Sequence, residues 1–183
     1  MNPIFAAAHD LQTFCVGAGW RFCFIGGIAV QRWGEPRFTQ DADLTLLTEF
    51  GDEARYIDHL LAHYAGRLPD TRDFALQTRV VLLSGRDDVP LDIALGAMPF
   101  EERTVERASP YPIGKEQEIL TCSAEDLIVH KAFADRPQDW LDIDGVIARQ
   151  GSLLNRQQIW AELEPLVELK EEPAILERLR TRL

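Results

Sequence analysis

Residues 1–122 carry short apolar runs of strand length, separated by segments with a helical pattern. The runs lie at residues 21–25 (RFCFI), 43–47 (DLTLL), 79–83 (RVVLL), 90–95 (PLDIAL) and 118–121 (EILT). Residues 3–15 and 52–65 have the apolar spacing of amphipathic helices, and a short helix is expected at 28–33. Residues 84–88 (SGRDD) have the composition of a hairpin loop. This part of the chain predicts a small mixed β-sheet flanked by helices.

From residue 123 onward the helical pattern is continuous. Four helices are predicted, at residues 124–134, 138–150, 155–169 and 173–182. Ser123 followed by Asp126 is a capping pattern, and Asn155 with Gln158 is a second candidate. The predicted fold class is therefore α/β (α+β), with a sheet core at 1–122 and a C-terminal helical subdomain at 123–183 packed on that core.

Composition narrows the functional classes. The chain has 183 residues, 19 Lys plus Arg and 30 Asp plus Glu, for a net charge of −11. This balance excludes a uniformly basic nucleic-acid binder, although a local basic patch stays possible. Cys15, Cys23 and Cys122 form no CxxC pair, which favours reduced thiols. No apolar stretch has the length of a membrane span and no signal peptide is recognisable, so we expect a cytoplasmic protein without a membrane partner.

Two glycines, Gly26 and Gly27, stand between the strand at 21–25 and the helix at 28–33. Glycine allows close approach of a ligand to the backbone, and a helix N-terminus offers N–H groups with partial positive charge. This arrangement is typical of a phosphate site. A tight strand-to-helix turn without a ligand would use the same residues.

Three aspartates are candidates for metal binding. Asp41 and Asp43 are two positions apart at the start of a predicted strand, so their side chains point to the same side. Asp92 lies inside the apolar strand 90–95, where a carboxylate needs a partner or a metal ion. If the two strands are neighbours, all three acids reach one site suited to Mg²⁺. Solvated acids before a strand and a polar residue on an exposed strand face are the alternatives.

The segment 24–47 (FIGGIAVQRWGEPRFTQDADLTLL) combines these features. Its glycine pair, its R-x-T-x-D-x-D motif and the later Asp92 resemble the nucleotidyltransferase superfamily of the DNA polymerase β type. The resemblance implies that Gly26 and Gly27 hold the nucleotide phosphates. It implies that Asp41 and Asp43 bind two Mg²⁺ ions, and that Asp92 is the third ligand and helps deprotonate the attacking hydroxyl.

Arg37 and Thr39 flank the acid pair and are further candidates for phosphate contact. Arg37 has an alternative role, an ion pair with Glu35 or with one of the acids of the site. Gly27 stands where the common family pattern has a serine, so a hydroxyl contact to phosphate is missing.

A second block, residues 125–143 (EDLIVHKAFADRPQDWLDI), is similar to the corresponding stretch of AbiEii/AbiGii-type nucleotidyltransferase toxins. The similarity implies that Lys131 binds the triphosphate and that Asp139 and Asp142 are supporting acids. A solvated lysine is the alternative for Lys131. Helix capping and pairing with Arg136 are the alternatives for the two aspartates.

Together the resemblances imply an Mg²⁺-dependent enzyme that moves NMP from an NTP to an acceptor hydroxyl on tRNA or protein. They also imply the toxin of a bacterial toxin–antitoxin pair, with a cognate antitoxin protein as its partner. The acidic net charge makes tRNA the less favoured acceptor. A small-molecule (antibiotic-type) nucleotidyltransferase, a catalytically silent binding module and a metal-dependent phosphohydrolase are the competing hypotheses.

Overall fold

The computed structural model describes residues 2–114 and 116–183. The chain divides into two compact units. The first consists of Met1–Ile28 and Phe38–Cys122, and the second of Ala29–Arg37 and Ser123–Leu183. Residues 29–37 thus belong to the second unit, and the predicted domain division at 122/123 stays a prediction.

A seven-stranded mixed sheet dominates the first unit, in the order β3-β4-β5-β2-β1-β7-β6. The strands are β1 (Phe22–Phe24), β2 (Ala42–Leu47), β3 (Ala65–Gly66), β4 (Val80–Ser84), β5 (Pro90–Gly96), β6 (Ser109–Pro112) and β7 (Glu118–Thr121). Two pairings, β2 with β5 and β1 with β7, are parallel, and the other four are antiparallel. The predicted fold class, a mixed sheet with flanking helices, is confirmed.

Strand alternation separates the core from the opposite face of the sheet. Leu44 and Ile93 are fully buried neighbours on β2 and β5, and they belong to the hydrophobic core of this unit. Asp43 and Asp92 precede them by one position and are only half-buried. Because successive side chains of a strand point to opposite faces, the burial of the leucine and isoleucine directs both carboxylates away from the core.

The described helices of the first unit differ in part from the predicted ones. They are α1 (Pro3–Gly17), α2 (Gly26–Trp33, which continues into the second unit), α3 (Glu53–Leu61), α4 (Thr71–Thr78) and α5 (Pro99–Glu106). The prediction of a helix over 52–65 was too long, because the chain turns after Leu61. Four elements were missed, namely β3, α4, α5 and β6. Each is short, and β6 (SPYP) contains two prolines that a strand normally tolerates only at an edge.

The second unit contains four further helices, α6 (Ala124–Ala134), α7 (Pro137–Gln150), α8 (Arg156–Lys170) and α9 (Ala174–Arg180). Both predicted caps form. The side chain of Ser123 accepts a hydrogen bond from the Asp126 amide, and the side chain of Asn155 accepts one from the Gln158 amide, each at 3.1 Å. These bonds satisfy amides that a helix start leaves without intrahelical partners.

The three cysteines are buried and form no disulfide, as the sequence predicts. Burial raises the pKa of the Cys15 thiol to about 12, so this residue is a packing thiol and not a nucleophile. His59 and His63 contact the ring of Phe14, which agrees with a packing role for both. Among the described residues, no helix is both long and apolar enough to cross a membrane.

Candidate active site

Asp41, Asp43 and Asp92 form a carboxylate cluster on the sheet. One oxygen from each side chain lies within 4.8 Å of the others. The cause is the strand order, because β2 and β5 are parallel neighbours with Asp43 directly beside Asp92. Asp41 precedes Asp43 by two positions and so reaches the same side. The structure therefore brings together the three acids that the sequence singles out.

Gly26 and Gly27 are fitted closely against this cluster. Gly26 has φ +56°, and a Cβ atom there would lie 1.9 Å from Oδ2 of Asp43. The Gly27 amide donates a hydrogen bond of 3.4 Å to the same oxygen. A Cβ atom on Gly27 would lie 2.3 Å from Oγ1 of Thr39. Any side chain at these positions would therefore displace Asp43 or Thr39, which is a structural reason for both glycines. Their predicted phosphate contact stays a prediction.

Thr39 orients one of the acids. Its buried hydroxyl donates a hydrogen bond of 2.9 Å to Oδ1 of Asp41. This bond fixes the carboxylate and leaves its second oxygen for another ligand. The phosphate contact that the sequence predicts for Thr39 stays a prediction, while the contact to Asp41 was not foreseen.

Arg67 is a site residue that the sequence reading missed. Its guanidinium forms an ion pair with Asp92, and both side chains are about one-third exposed, at 30% and 32%. Burial raises the pKa of Asp92, the positive charge of Arg67 opposes that rise, and the negative charge of Asp41 adds to it. The net pKa of Asp92 lies above its ordinary value. No local pattern in the sequence singles out Arg67, because three acids at one place indicate only that a cation lies near them and not which one.

The donor set fits a hard divalent cation. All the ligand atoms are carboxylate oxygens, which Mg²⁺ prefers, and Arg67 forms an ion pair with one of the three acids, Asp92. Two oxygens bound to one Mg²⁺ lie roughly 3 to 4 Å apart, because each Mg–O bond is about 2.1 Å long. Oxygens already within 4.8 Å of one another reach that spacing by small side-chain rotations.

In the second unit, Lys131 is the centre of a buried ionic network. Its side chain is only 6% exposed, and Nζ lies 2.8 Å from Oδ1 of Asp139 and 2.7 Å from Oδ2 of Asp142. The two aspartates share one face of α7, as their i,i+3 spacing predicts. Lys131 is thus not a solvated surface lysine. Its predicted contact to a triphosphate stays a prediction.

Two arginines complete this network. Arg37 holds Asp142 through two hydrogen bonds, of 2.8 and 3.0 Å, so it pairs with one of the two supporting acids of the second block. Arg136 binds Asp139 at 2.6 Å, which is the pairing that the sequence offered as an alternative. Burial alone would raise the pKa of both carboxyls, but the hydrogen bonds from the cations outweigh it and the pKa of each is lowered. Both acids are therefore ionised at neutral pH.

Arg178, Arg180 and Arg182, the basic run nearest the C-terminus, also have partners. Arg178 pairs with Asp135, and Arg182 lies 2.9 Å from Asp144. Arg178 and Arg182 both lie over the ring of Trp140, which is buried. These contacts anchor the C-terminal end of α9, so this run is a packing element.

Comparison with protein families decides the assignment of the whole chain. The family model described as "Nucleotidyl transferase AbiEii toxin, Type IV TA system" matches residues 11–182. The chain belongs to the AbiEii nucleotidyltransferase toxin family. This membership confirms the resemblance seen in the two sequence blocks. A comparison with curated protein sequences gives no significant match.

Solved structures agree with the AbiEii assignment at the level of the fold. An antigenic nucleotidyltransferase-like protein from Paracoccidioides brasiliensis matches with a TM-score of 0.57 and 15% identity, covering 100% of this chain and 94% of its own. The antibiotic-resistance factor ANT(2'')-Ia matches with a TM-score of 0.57 and 14% identity, covering 97% of each chain. At these identities the likeness shows that the AbiEii-family chain has a nucleotidyltransferase fold.

Proposed function

We propose that this AbiEii-family chain is an Mg²⁺-dependent nucleotidyltransferase that moves NMP from an NTP to an acceptor hydroxyl on tRNA or protein. The observation that carries the proposal is the cluster of Asp41, Asp43 and Asp92, whose oxygens lie within 4.8 Å of one another. Three carboxylates at this spacing are electrostatically unfavourable without a cation, so the cluster is suited to metal binding rather than to fold stability.

The proposed roles follow from position. Asp41 and Asp43 would hold two Mg²⁺ ions, with Asp92 as the third ligand. When bound, the ions stabilise negative charge on the entering and leaving oxygens. In the transfer step the acceptor oxygen bonds to the α-phosphorus, pyrophosphate leaves, and the hydroxyl proton goes to a carboxylate oxygen of Asp92.

The residues around the cluster have supporting roles. Thr39 keeps Asp41 in one orientation through its hydroxyl, and the amide of Gly27 does the same for Asp43. These bonds reduce the reorganisation that metal binding requires. For the second unit, the resemblance to the family is the basis on which we propose phosphate contacts for Arg37 and Lys131, with Asp139 and Asp142 supporting the lysine.

We propose that the biological role is that of a toxin with an antitoxin as its counterpart, because the family is described as part of a type IV toxin–antitoxin system. Such a toxin acts where NTPs, tRNA and nascent proteins occur, so we propose a cytoplasmic location. The net charge of −11 gives little non-specific RNA affinity. A tRNA acceptor would therefore have to be held by specific contacts rather than by net charge.

A labelling assay tests the proposal. The wild type and Asp43→Asn are incubated with each α-³²P-NTP and Mg²⁺, with tRNA, cell lysate or a panel of hydroxyl compounds as acceptor. We expect label on tRNA or on a protein with the wild type. With the variant we expect a loss of roughly a hundredfold to a thousandfold, the size expected when one transition-state contact is removed. Label on a small compound alone would overturn the proposed acceptor, tRNA or protein, and would indicate a small-molecule nucleotidyltransferase. Free nucleotide products in every lane, without labelled acceptor, would indicate a phosphohydrolase and overturn the proposal.

A further inference from the structure

The backbone of the sheet fixes the position of Arg67. Its amide donates a hydrogen bond of 3.0 Å to the carbonyl of Leu82 on β4. Leu82 in turn is paired with Asp92 on β5, and Asp92 with Asp43 on β2. Leu82, Asp92 and Asp43 thus form one transverse row across three neighbouring strands, and Arg67, which directly follows β3, extends that row. Residues of such a row lie on the same face. The contact of Arg67 with the cluster is therefore a consequence of sheet register and not of a chance surface encounter.

The arginine side chain crosses one strand to reach its partner. Two strand spacings, about 9.6 Å, separate β3 from β5, and Leu82 between them is only half-buried. A long guanidinium side chain covers such a residue with its methylene groups while its head remains near water. The side chain of Arg67 is 30% exposed, so it has space to leave Asp92 without rearrangement of the core.

The guanidinium of Arg67 and a divalent metal ion would compete for the carboxylate of Asp92. Asp92 has two carboxylate oxygens, one of which accepts the guanidinium, and one of which lies in the acid cluster. A divalent cation placed among the three acids would face the positive charge of Arg67 at close range, where opposite and like charges interact strongly. The guanidinium and the metal ion therefore favour the same carboxylate and disfavour each other.

We propose that Arg67 is a built-in counter-cation, which stabilises the carboxylate cluster in the metal-free protein and competes with the divalent ion for Asp92. The inference rests on the metal site of the proposed function. It adds a residue that sets how much metal the protein requires: Arg67 holds the site assembled at low metal concentration and weakens metal binding at the same time.

The test is a Mn²⁺ titration of the EDTA-treated full chain without nucleotide, followed by the free Mn²⁺ signal in electron paramagnetic resonance. The variants are Arg67→Gln, which removes the charge, and Arg67→Lys, which keeps it. Arg72→Gln is the matched control, because Arg72 forms a comparable exposed pair with Asp58 in the same unit, at 2.7 Å. Thermal unfolding in EDTA verifies that each variant folds.

We expect Arg67→Gln to bind Mn²⁺ about threefold or more tightly than the wild type, which is the size of a partly exposed ion pair. Its melting temperature in EDTA should be lower than that of the wild type. Arg67→Lys and Arg72→Gln should bind Mn²⁺ as the wild type does. Equal or weaker Mn²⁺ binding by Arg67→Gln would overturn the inference.

The inference and the proposed function fail in distinguishable ways. If the wild type binds Mn²⁺, Asp43→Asn does not, and Arg67→Gln is unchanged, the metal site stands and the role of Arg67 is refuted. If neither the wild type nor any variant binds Mn²⁺ at millimolar concentration, both the metal site and the competition of Arg67 with the metal ion are refuted.

Discussion

Replacement of Asp43 by asparagine should make the metal-free protein more stable while it removes the response to metal. Asp43 lies within 4.8 Å of both Asp41 and Asp92, measured between carboxylate oxygens. At that distance and an effective dielectric constant of about 20, each repulsion amounts to about 3 kcal/mol. Asparagine has the same shape and retains an oxygen that can accept the hydrogen bond from the Gly27 amide.

Several effects reduce the stability that Asp43→Asn gains from the loss of this repulsion. The side chains are half-exposed, so water and salt screen the repulsion, and Arg67 already offsets the charge of Asp92. The N-terminus of α2 favours a negative charge by about 0.5 kcal/mol. We therefore expect the free energy of unfolding of Asp43→Asn in EDTA to exceed that of the wild type by about 1–2 kcal/mol, the part of the repulsion that survives screening. For a chain of this length that is a rise in melting temperature of about 4 °C.

The assay is thermal unfolding of both proteins in EDTA and in Mg²⁺. The wild type should gain stability with Mg²⁺, since an ion that binds only the folded state stabilises it. Asp43→Asn should gain little. Asp70→Asn is the control, because it removes an exposed acid of the same unit outside the cluster and accounts for the effect of net charge. A variant less stable than the wild type in EDTA, or one with the full Mg²⁺ response, would refute the reasoning.

Three further predictions concern other parts of the molecule. Gly26→Ala should lower the free energy of unfolding by about 1–2 kcal/mol through its φ of +56° alone. It should also abolish transfer activity, because the new Cβ displaces Asp43, and retained activity would contradict this close packing. Lys131→Met should cost about 3 kcal/mol in urea unfolding, because two buried carboxylates lose a shared cation, whereas a cost under 1 kcal/mol would show that the arginines suffice. Burial and then the charge of Lys131 lower the pKa of His130 from 6.5 to about 4. The contribution of neutral His130 to the free energy of unfolding is therefore complete above pH 6.5, and it is lost as the pH falls toward 4 because the unfolded state takes up the proton first. The free energy of unfolding of the wild type should fall by about 2 kcal/mol by pH 5, and that of His130→Gln should fall correspondingly less. Parallel profiles of unfolding free energy against pH for the two proteins would disprove the assignment.

The sequence predicted the acid cluster because several signals, each open to another explanation by itself, pointed to one site. Asp92 stands in an otherwise apolar strand, and Asp41 and Asp43 have the two-residue spacing of a strand face. Their proximity required only that β2 and β5 be neighbours, which the register of Asp43 and Asp92 confirms. The C-terminal helices were likewise predictable, since α6 has its predicted bounds and both caps form.

Short elements and long-range partners were beyond the sequence. Helices α4 and α5 have eight residues each, which is too few for a clear period. Arg67 follows a two-residue strand without any local pattern, and it reaches Asp92 only because β4 lies between their strands. The competing roles of Arg37 could not be separated either, because its partner Asp142 is 105 positions away along the chain.

The measurement that tests the central claim most directly is the fate of the two ends of the nucleotide. NTP labelled with ³²P at either the α- or the γ-phosphorus is incubated with the protein, Mg²⁺ and the acceptor found by the labelling assay. Nucleotidyl transfer at the Asp41–Asp43–Asp92 cluster predicts α-label on the acceptor, γ-label in released pyrophosphate, and neither with Asp43→Asn. γ-Label on the acceptor, or release of inorganic phosphate with no labelled acceptor, would contradict it.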